Sequence, residues 1–163
     1  MALESPDQPE VIGLIAALDA YQASLYPPES CYALDLESLK QPTVLFAVAR
    51  SGTGAAVACG AIVLNAVAGD GSAAGAVDGE LKRLYVDPQQ RGQGLARAVL
   101  ALLETEAVAR GCTRLRLETG PLQPEALALY AATGYQRCGR FGAYADDPLS
   151  VFMQKNLVAQ APG

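Results

Sequence analysis

The chain alternates between segments whose apolar residues recur at helical spacing and short apolar segments of strand length. The helical spacing predicts helices over residues 11–25, 34–40, 92–110 and 124–133. The first of these helices should bury one side, formed by Ile12, Ile15, Leu18 and Tyr21. The predicted helix 92–110 should bury the side formed by Leu95, Val99, Leu102 and Leu103. Gly111 and Gly134 stand where the last two helices should end.

The short apolar segments predict six strands, over residues 43–50, 55–64, 80–86, 113–118, 135–138 and 149–155. The turn Ser51-Gly52-Thr53-Gly54 should join the first two as a hairpin. The Gly- and Ala-rich stretch 67–79 fits either a long loop or a weak strand extension. Little room for a further strand exists before Pro9. Alternating strands and helices of this kind predict an α/β domain.

Composition narrows the class of protein. The 163 residues are 51% hydrophobic and 18% charged, which predicts one folded domain over residues 1–163. No run of about 18 apolar residues would span a membrane, and the first residues do not form a secretory signal. A cytoplasmic protein is the expectation that follows. The net charge is −5 and no basic stripe is present, which argues against nucleic acid as a partner.

The cysteines and the absence of histidine limit the chemistry. The four cysteines are widely spaced and form no C-x-x-C pair, so we expect reduced thiols and no zinc site or other metal. The chain contains no histidine, which excludes Ser-His-Asp and Cys-His catalysis. Any catalytic acid or base must therefore be an Asp, Glu, Tyr, Lys or Cys side chain.

The segment from Glu80 to Ala96 carries the most chemical information. It reads as a strand, a short turn, and then Arg91-Gly92-Gln93-Gly94-Leu95-Ala96 opening a helix. A helix start offers unpaired N–H groups and the positive end of the helix dipole, and glycine lets a phosphate approach them. The dinucleotide pattern G-x-G-x-x-G fails, because Arg97 holds its third glycine position. The turn alone fits phosphate binding and a purely structural role equally well.

Arg91, Gly94 and Ala96 fill the pattern Gln/Arg-x-x-Gly-x-Gly/Ala, and Leu84-Tyr85-Val86-Asp87-Pro88 stands in the strand before it. A third motif is Gln123-x-x-Ala126-x-x-Leu129-Tyr130, followed by Gly134-Tyr135. These three motifs, in this order, resemble those of the GCN5-related N-acetyltransferase family, which usually has Asn in place of Gln123. The resemblance implies a central twisted mixed β-sheet with helices on both faces. It also implies transfer of an acetyl group from acetyl-CoA to a primary amine.

The resemblance assigns a coenzyme role to specific positions. Backbone groups of Leu84, Tyr85 and Val86 would hold the pantetheine arm and thioester, and N–H groups of residues 92–97 would hold the pyrophosphate. The full set of expected coenzyme-binding residues is Leu84, Tyr85, Val86, Arg91, Gly92, Gln93, Gly94, Leu95, Ala96, Arg97, Gln123 and Tyr130. The strands that carry Glu80 and Glu118 would splay apart around the coenzyme. Apolar alternation slips between Leu81 and Leu84, as a β-bulge would cause, although a strand buried on both faces would look the same.

The expected mechanism needs a base and an acid. A carboxylate takes the proton of the amine, and a tyrosine donates to the leaving thiolate. Tyr130 is the candidate acid, with a buried core aromatic as the alternative interpretation. Glu80 and Glu118 are equal candidates for the base, and either would otherwise be a solvated carboxylate at a strand end.

Two loops are the candidates for the acceptor site, residues 24–30 and 140–148. Their polar and aromatic residues would bind a cationic amine through Tyr26, Glu29, Tyr144, Asp146 and Asp147, while Asp-Asp-Pro is also an ordinary turn sequence. The acceptor, a small molecule or a peptide, cannot be read from these loops. A coenzyme A-binding sensor without catalysis, another phosphate-binding α/β protein, and a protein N-terminal or lysine acetyltransferase are the alternatives. A homodimer in which two monomers shape the cleft fits each of the acetyltransferase alternatives.

Overall fold

The computed structural model describes residues 1–31, 35–66, 77–142 and 144–157. Its four α-helices are α1 (Pro9–Leu25), α2 (Leu36–Leu39), α3 (Leu95–Ala109) and α4 (Pro124–Ala132). Its seven strands are β1 (Ala2–Leu3), β2 (Val44–Arg50), β3 (Ala56–Ala66), β4 (Val77–Val86), β5 (Cys112–Thr119), β6 (Gln136–Arg137) and β7 (Val151–Asn156). Leu34 and most of the stretch 67–79 lie outside the described residues, whereas Val77–Gly79 belong to β4.

The strands form one mixed sheet in the order β1-β2-β3-β4-β5-β7-β6. Neighbours are antiparallel except β4 and β5, which run parallel in the middle of the sheet. The predicted hairpin joins β2 and β3, closed by a 2.8 Å hydrogen bond from the Ser51 amide to the Ala55 carbonyl. The short β1 pairs with β2, which agrees with the limited room before Pro9.

Helices cover both faces of the sheet, as expected. On one face, α3 packs its buried residues Val99, Leu100 and Leu103 into the larger core, together with Tyr130 of α4. On the other face, α1 packs Val11, Leu14, Ile15 and Leu18 against Phe46, Val48 and Tyr85. Among the described residues, every helix is too short or too polar to cross a bilayer.

Two sequence predictions about α1 are wrong. Ile12 and Tyr21 are 40% and 38% exposed, whereas Val11 and Leu14 are buried. The apolar residues of α1 surround most of the helix, so spacing alone did not identify the face that meets the sheet. Tyr21 instead faces the turn that precedes α3, where its ring lies 6.0 Å from the Arg91 guanidinium carbon.

The predicted start of α3 at Gly92 is also wrong, because the helix begins at Leu95. Gly92 and Gly94 have φ angles of +83° and +75°, a left-handed conformation that a right-handed helix excludes. The residues from Pro88 to Gln90 form a 3-10 turn, and Gly94 caps the N-terminus of α3. The turn therefore takes up eight residues, from Asp87 to Gly94, between the end of β4 and the first residue of α3.

Candidate active site

The central feature of the site is the point at which β4 separates from β5. Their parallel pairing begins at Val77 and Cys112 and ends at Leu81 and Leu117, although β4 continues to Val86 and β5 to Thr119. The expected splaying of these strands is therefore present. Backbone groups on the β5 side of residues 82–86 face the gap instead of a neighbouring strand.

A β-bulge in β4 accompanies this separation, as the slip in apolar alternation suggested. Cys59 pairs with Tyr85 and Ala61 pairs with Lys82, so two residues of β4, Arg83 and Leu84, stand opposite Gly60 alone. Arg83 adopts a φ of +61°, which is rare for a residue with a side chain. Its guanidinium is paired with the Asp19 carboxylate of α1. The bulge thus begins two residues after Leu81, the last residue of β4 that pairs with β5, and an ion pair to α1 secures it.

An outer groove of about 390 Å³ runs from this separation to the start of α3. Its walls come from α1, from the end of β4, from the turn before α3, and from α4. They consist of Leu18, Tyr21, Leu84, Tyr85, Val86, Arg91, Gly92, Gly94, Leu95, Ala96, Arg97, Gln123, Pro124, Glu125, Ala126, Leu129 and Tyr130. All predicted coenzyme-binding residues line the groove except Gln93, whose side chain donates to Gln90 Oε1 at 3.2 Å.

The start of α3 presents unpaired donors to this groove. The first main-chain hydrogen bond of the helix runs from the Ala98 amide to the Gly94 carbonyl at 3.0 Å. The N–H groups of Leu95, Ala96 and Arg97 precede it and have no carbonyl partner within the helix. Together with the helix dipole, they form a site suited to a phosphate group. Arg91 adds a full positive charge at the same place, with its guanidinium carbon 6.0 Å from the ring centres of Tyr21 and Tyr85.

A smaller inner cavity of about 90 Å³ continues from the groove between the separated strands. Its walls come from the end of α1, the bulge, the end of β5, α4 and the loop before β7. They consist of Leu18, Gln22, Tyr26, Ser30, Cys31, Leu81, Lys82, Arg83, Leu84, Glu118, Thr119, Gly120, Gln123, Ala126, Tyr130, Tyr144 and Leu149. Groove and cavity share Leu18, Leu84, Gln123, Ala126 and Tyr130, so they meet at these side chains.

Glu118 is the carboxylate of the inner cavity. Burial raises the pKa of Glu118 to about 7, even though the Ser150 hydroxyl, 2.7 Å from Oε2, and the Lys82 ammonium both lower it. The negative charges of Asp147 and Glu80 add to the increase. A carboxyl group with this pKa exchanges its proton near neutral pH, which is the property a general base requires.

Glu80 has a different environment and does not line the inner cavity. Its Oε2 atom accepts a hydrogen bond from the Tyr144 hydroxyl and lies 3.1 Å from the Lys82 ammonium. Lys82 also donates to the Tyr144 hydroxyl at 2.7 Å and lies over its ring. Glu80 therefore fastens the loop before β7 to β4. The structure thus separates the two carboxylates that the sequence left as equal candidates.

Tyr130 is both a core aromatic and a residue of the cavity wall. Its ring packs edge-on against Tyr135, with centres 5.7 Å apart, and only 7% of the residue is exposed. Burial raises the pKa of Tyr130 above its usual range, so the phenol stays protonated at neutral pH. The two sequence interpretations of Tyr130 are thus compatible with each other.

The predicted acceptor residues are not all brought together. Tyr26 and Tyr144 line the inner cavity, whereas Glu29 and Asp146 are exposed residues outside its walls. Asp147 accepts hydrogen bonds from Ser30 Oγ at 2.6 Å and from the Leu149 amide at 2.8 Å, so its carboxylate joins the two loops. Asp-Asp-Pro thus serves at least in part as the turn that its sequence suggested.

Sequence reasoning missed two polar residues near Glu118. Lys82 follows Glu80 by two residues and so shares its side of β4, which was a usable signal. Ser150 precedes β7, and only the pairing of Glu118 with Phe152 brings it to the carboxylate. That pairing joins residues distant in sequence, and no local pattern encodes it.

All four cysteines are free thiols, as predicted, with Cys59 and Cys112 buried. Burial raises the pKa of the Cys59 thiol to about 12 and that of Cys112 above its usual range. Both thiols are therefore unreactive at neutral pH and behave as core side chains.

Known proteins resemble this chain along most of its length. The sequence model of the Acetyltransferase (GNAT) family matches residues 10–135. An IAA acetyltransferase of Azospirillum brasilense is 44% identical over 157 residues, covering 96% of this chain and 97% of that protein. A solved structure from Klebsiella pneumoniae, named an acyl-CoA N-acyltransferase, is 44% identical with a TM-score of 0.76, and the match covers 96% of each chain. The fold also matches an aminoglycoside 6'-N-acetyltransferase complexed with coenzyme A, with 16% identity, a TM-score of 0.70 and 98% of both chains covered.

Proposed function

The chain belongs to the Acetyltransferase (GNAT) family and is an N-acetyltransferase, and we propose that it transfers the acetyl group of acetyl-CoA to a small primary amine by direct attack. The observation that carries this proposal is the continuous path from the start of α3, through the gap between β4 and β5, to Glu118. The groove suits an elongated ligand with a phosphate at one end, and the cavity suits the reacting group at the other.

In this proposal, main chain and side chains divide the binding of acetyl-CoA. The N–H groups of Leu95, Ala96 and Arg97, together with the Arg91 charge, hold the pyrophosphate. The backbone groups of residues 84–86 that face the gap form strand-like hydrogen bonds with the pantetheine arm. One of its N–H groups stabilises the negative charge that develops on the thioester oxygen during attack.

Glu118 is the proposed general base. An alkylamine with a pKa near 10.4 is neutral in only about one molecule per thousand at pH 7, so the ammonium must lose a proton before attack. Glu118 faces the cavity and has a pKa of about 7, so its carboxylate accepts that proton directly or through a water molecule. Acid–base assistance of this kind contributes about 10²–10⁴ in rate.

Tyr130 is the proposed hydrogen-bond donor to the departing sulfur. It lies where the groove meets the cavity, which is where the thioester of a groove-bound coenzyme would sit. Its raised pKa keeps the proton on the phenol until negative charge appears on the sulfur. The hydroxyl then stabilises the thiolate, and the proton released by the amine completes the leaving thiol.

Two features support a small acceptor over a peptide. The inner cavity has about 90 Å³, and the loop carrying Tyr26 and the loop carrying Tyr144 both contribute to its walls. The hydrogen bond from Ser30 to Asp147 joins these loops directly. A peptide segment would require the loops to separate.

The four free thiols fit a reducing compartment, which supports a cytoplasmic location.

An acetyl-CoA consumption assay across polyamines, amino acids, aminoglycosides and peptides tests the proposal, with the released thiol as the signal. We expect turnover with at least one small amine, and a kcat lower by about 10²–10⁴ in Glu118→Gln. Binding of acetyl-CoA without turnover on any amine would support the sensor alternative. Turnover restricted to peptides would support the peptide-modifying alternative.

A further inference from the structure

Tyr26 is buried in the wall of the inner cavity and contacts Gln123, one of the residues at which cavity and groove meet. Its position after α1 had suggested an acceptor contact. Only 7% of the residue is exposed. Its hydroxyl accepts a hydrogen bond from the Leu122 amide at 3.1 Å and donates to Gln123 Oε1 at 3.4 Å. Both partners belong to the turn between β5 and α4, almost a hundred residues away in sequence. The hydroxyl is thus occupied by that turn.

The turn is shaped to receive this hydroxyl. A Cβ atom on Gly120 would lie 1.8 Å from the Tyr26 hydroxyl oxygen and 2.1 Å from Cζ, so only glycine fits against the ring. The Gln123 amide donates to the Gly120 carbonyl at 3.3 Å and closes the turn around the contact. The packing against Gly120 and the two hydrogen bonds, with Leu122 and Gln123, together fix the position of the Tyr26 side chain.

The hydroxyl determines which way the Gln123 side-chain amide faces. Leu122 N–H uses a lone pair of the Tyr26 oxygen, so the single hydroxyl proton is left for Gln123. The hydroxyl donates to the amide oxygen of Gln123, an orientation that gives the hydroxyl proton an acceptor. With the oxygen engaged, the NH₂ group points elsewhere in the space that Gln123 lines, which includes both the cavity and the groove.

We infer that Tyr26 is a positioning residue that holds the Gln123 amide with its NH₂ donor toward the coenzyme. The inference rests on the proposed function, because it requires acetyl-CoA in the groove. The bound coenzyme offers amide carbonyls along its pantetheine arm, and an oriented NH₂ group matches such acceptors. Since Tyr26 directly follows α1 and Gln123 directly precedes α4, the contact also joins the acceptor side of the site to the coenzyme side.

A double-mutant cycle in the full chain tests this role, with acetyl-CoA as the probe and calorimetry as the measurement. Tyr26→Phe retains the ring and removes the hydroxyl, and we expect it to weaken acetyl-CoA binding about fivefold, the value of one neutral hydrogen bond. In a Gln123→Ala background, the same change should alter the dissociation constant less than about twofold. The matched control is Tyr135→Phe, which removes a buried hydroxyl outside both groove and cavity and should leave the dissociation constant unchanged.

The outcomes separate the inference from the proposed function. An equal loss of affinity on Tyr26→Phe with and without the Gln123 side chain would show a structural role only and overturn the inference. Unchanged affinity in Tyr26→Phe would overturn it as well, while tight binding by the wild-type chain would leave the proposed function standing. Failure of the wild-type chain to bind acetyl-CoA would overturn both.

Discussion

At the scale of single residues, the environment of Glu118 gives the most direct prediction. Glu118→Gln keeps the hydrogen bond to Ser150 possible but removes the base, so we expect kcat to fall by about 10²–10⁴. The wild-type kcat at saturating acceptor should rise with pH and level off above about 7, where the carboxyl is ionised. A steady-state pH profile of both proteins measures this.

Glu80→Gln is the matched control for that experiment. Glu80 contacts Tyr144 and Lys82 and lies outside the cavity walls, so its loss should affect acceptor KM more than the pH dependence of kcat. If the pH dependence of kcat disappeared in Glu80→Gln and persisted in Glu118→Gln, Glu80 and not Glu118 would be the base.

The raised pKa of Glu118 also predicts a pH dependence of stability. The folded state holds this proton up to about pH 7, whereas the unfolded carboxyl loses it near 4.5. The folded state therefore binds more protons between these values, and this contribution to stability is lost as pH rises from about 4.5 to 7. Glu118→Gln cannot ionise, so its melting temperature should exceed that of the wild type at pH 8 and differ less at pH 4.5. Thermal melts across this range measure the difference, and equal curves would contradict the buried, raised pKa.

Tyr130→Phe separates catalysis from binding. The phenol lies at the junction of groove and cavity, and its ring packs in the core, where phenylalanine fits equally well. We expect kcat to fall by about ten- to a hundredfold, at or below the lower limit of acid–base effects, because the hydroxyl only stabilises the leaving thiolate. The dissociation constant for acetyl-CoA should stay nearly unchanged. Unaltered turnover would remove Tyr130 from the mechanism.

Individual residues were only partly predictable from the sequence. The position of Glu118 near the end of β5 was readable, whereas Glu80 was expected to begin its strand and lies inside β4. The environments of both depend on Tyr144 and Ser150, which come from the last third of the chain. Tyr26 was selected for its place in a loop, whereas its contacts with Leu122 and Gln123 arise from the fold. Burial and partners distant in sequence therefore decide roles that residue type leaves open.

At the scale of elements, the turn before α3 is the segment most sensitive to backbone change. Gly94 has a φ of +75°, and a side chain there would meet no atom within 4 Å, so only the backbone penalty of about 1–2 kcal/mol applies to Gly94→Ala. The variant should be destabilised by about that amount and bind acetyl-CoA more weakly, because the turn presents the phosphate-binding N–H groups. Denaturant unfolding and calorimetry measure the two effects.

Gly13→Ala provides the control with the opposite sign. Gly13 lies within α1, and an added Cβ would meet nothing within 4 Å. Alanine is favoured over glycine in a helix by about 0.5–1 kcal/mol, so this variant should be stabilised and bind acetyl-CoA normally. An equal change in the free energy of unfolding in Gly94→Ala and Gly13→Ala would contradict the left-handed conformation of Gly94.

The sequence predicted elements better than their ends. Apolar spacing located α3 and β4, but the start of α3 was misplaced because glycines that look permissive in a sequence adopt a left-handed conformation in the folded turn. The slip in apolar alternation did indicate the bulge of β4, which also places Lys82 and Leu84 in the same cavity wall. The spacing of apolar residues does not predict a helix boundary that depends on backbone φ angles.

At the scale of the whole molecule, coenzyme binding should stabilise the folded chain. A ligand at about 100 times its dissociation constant adds about 2.7 kcal/mol to the free energy of unfolding. For a domain of this size, we expect the melting temperature to rise by about 5–10 °C with acetyl-CoA. ATP and NAD should give a smaller rise, since neither carries a pantetheine arm for the backbone of residues 84–86. Equal shifts with all three ligands would favour a general phosphate site.

The arrangement of the whole sheet was inferred through family resemblance more than through local pattern. Alternating helices and strands predicted an α/β domain, yet the strand order, with β7 inserted between β5 and β6, cannot be read from spacing. The single parallel pair, β4 and β5, depends on α3 crossing one face of the sheet between them. The motifs implied a mixed sheet with helices on both faces, whereas the strand order was not predicted.

The extra residue in β4 opposite Gly60 makes the site sensitive to the deletion of a single codon. Loss of the codon for Arg83 would let β4 pair regularly with β3 and would remove the bulge. The regular strand would then pair with β5 beyond Leu117, and the gap between β4 and β5 would close. We therefore expect deletion of this one codon to yield a folded but inert protein.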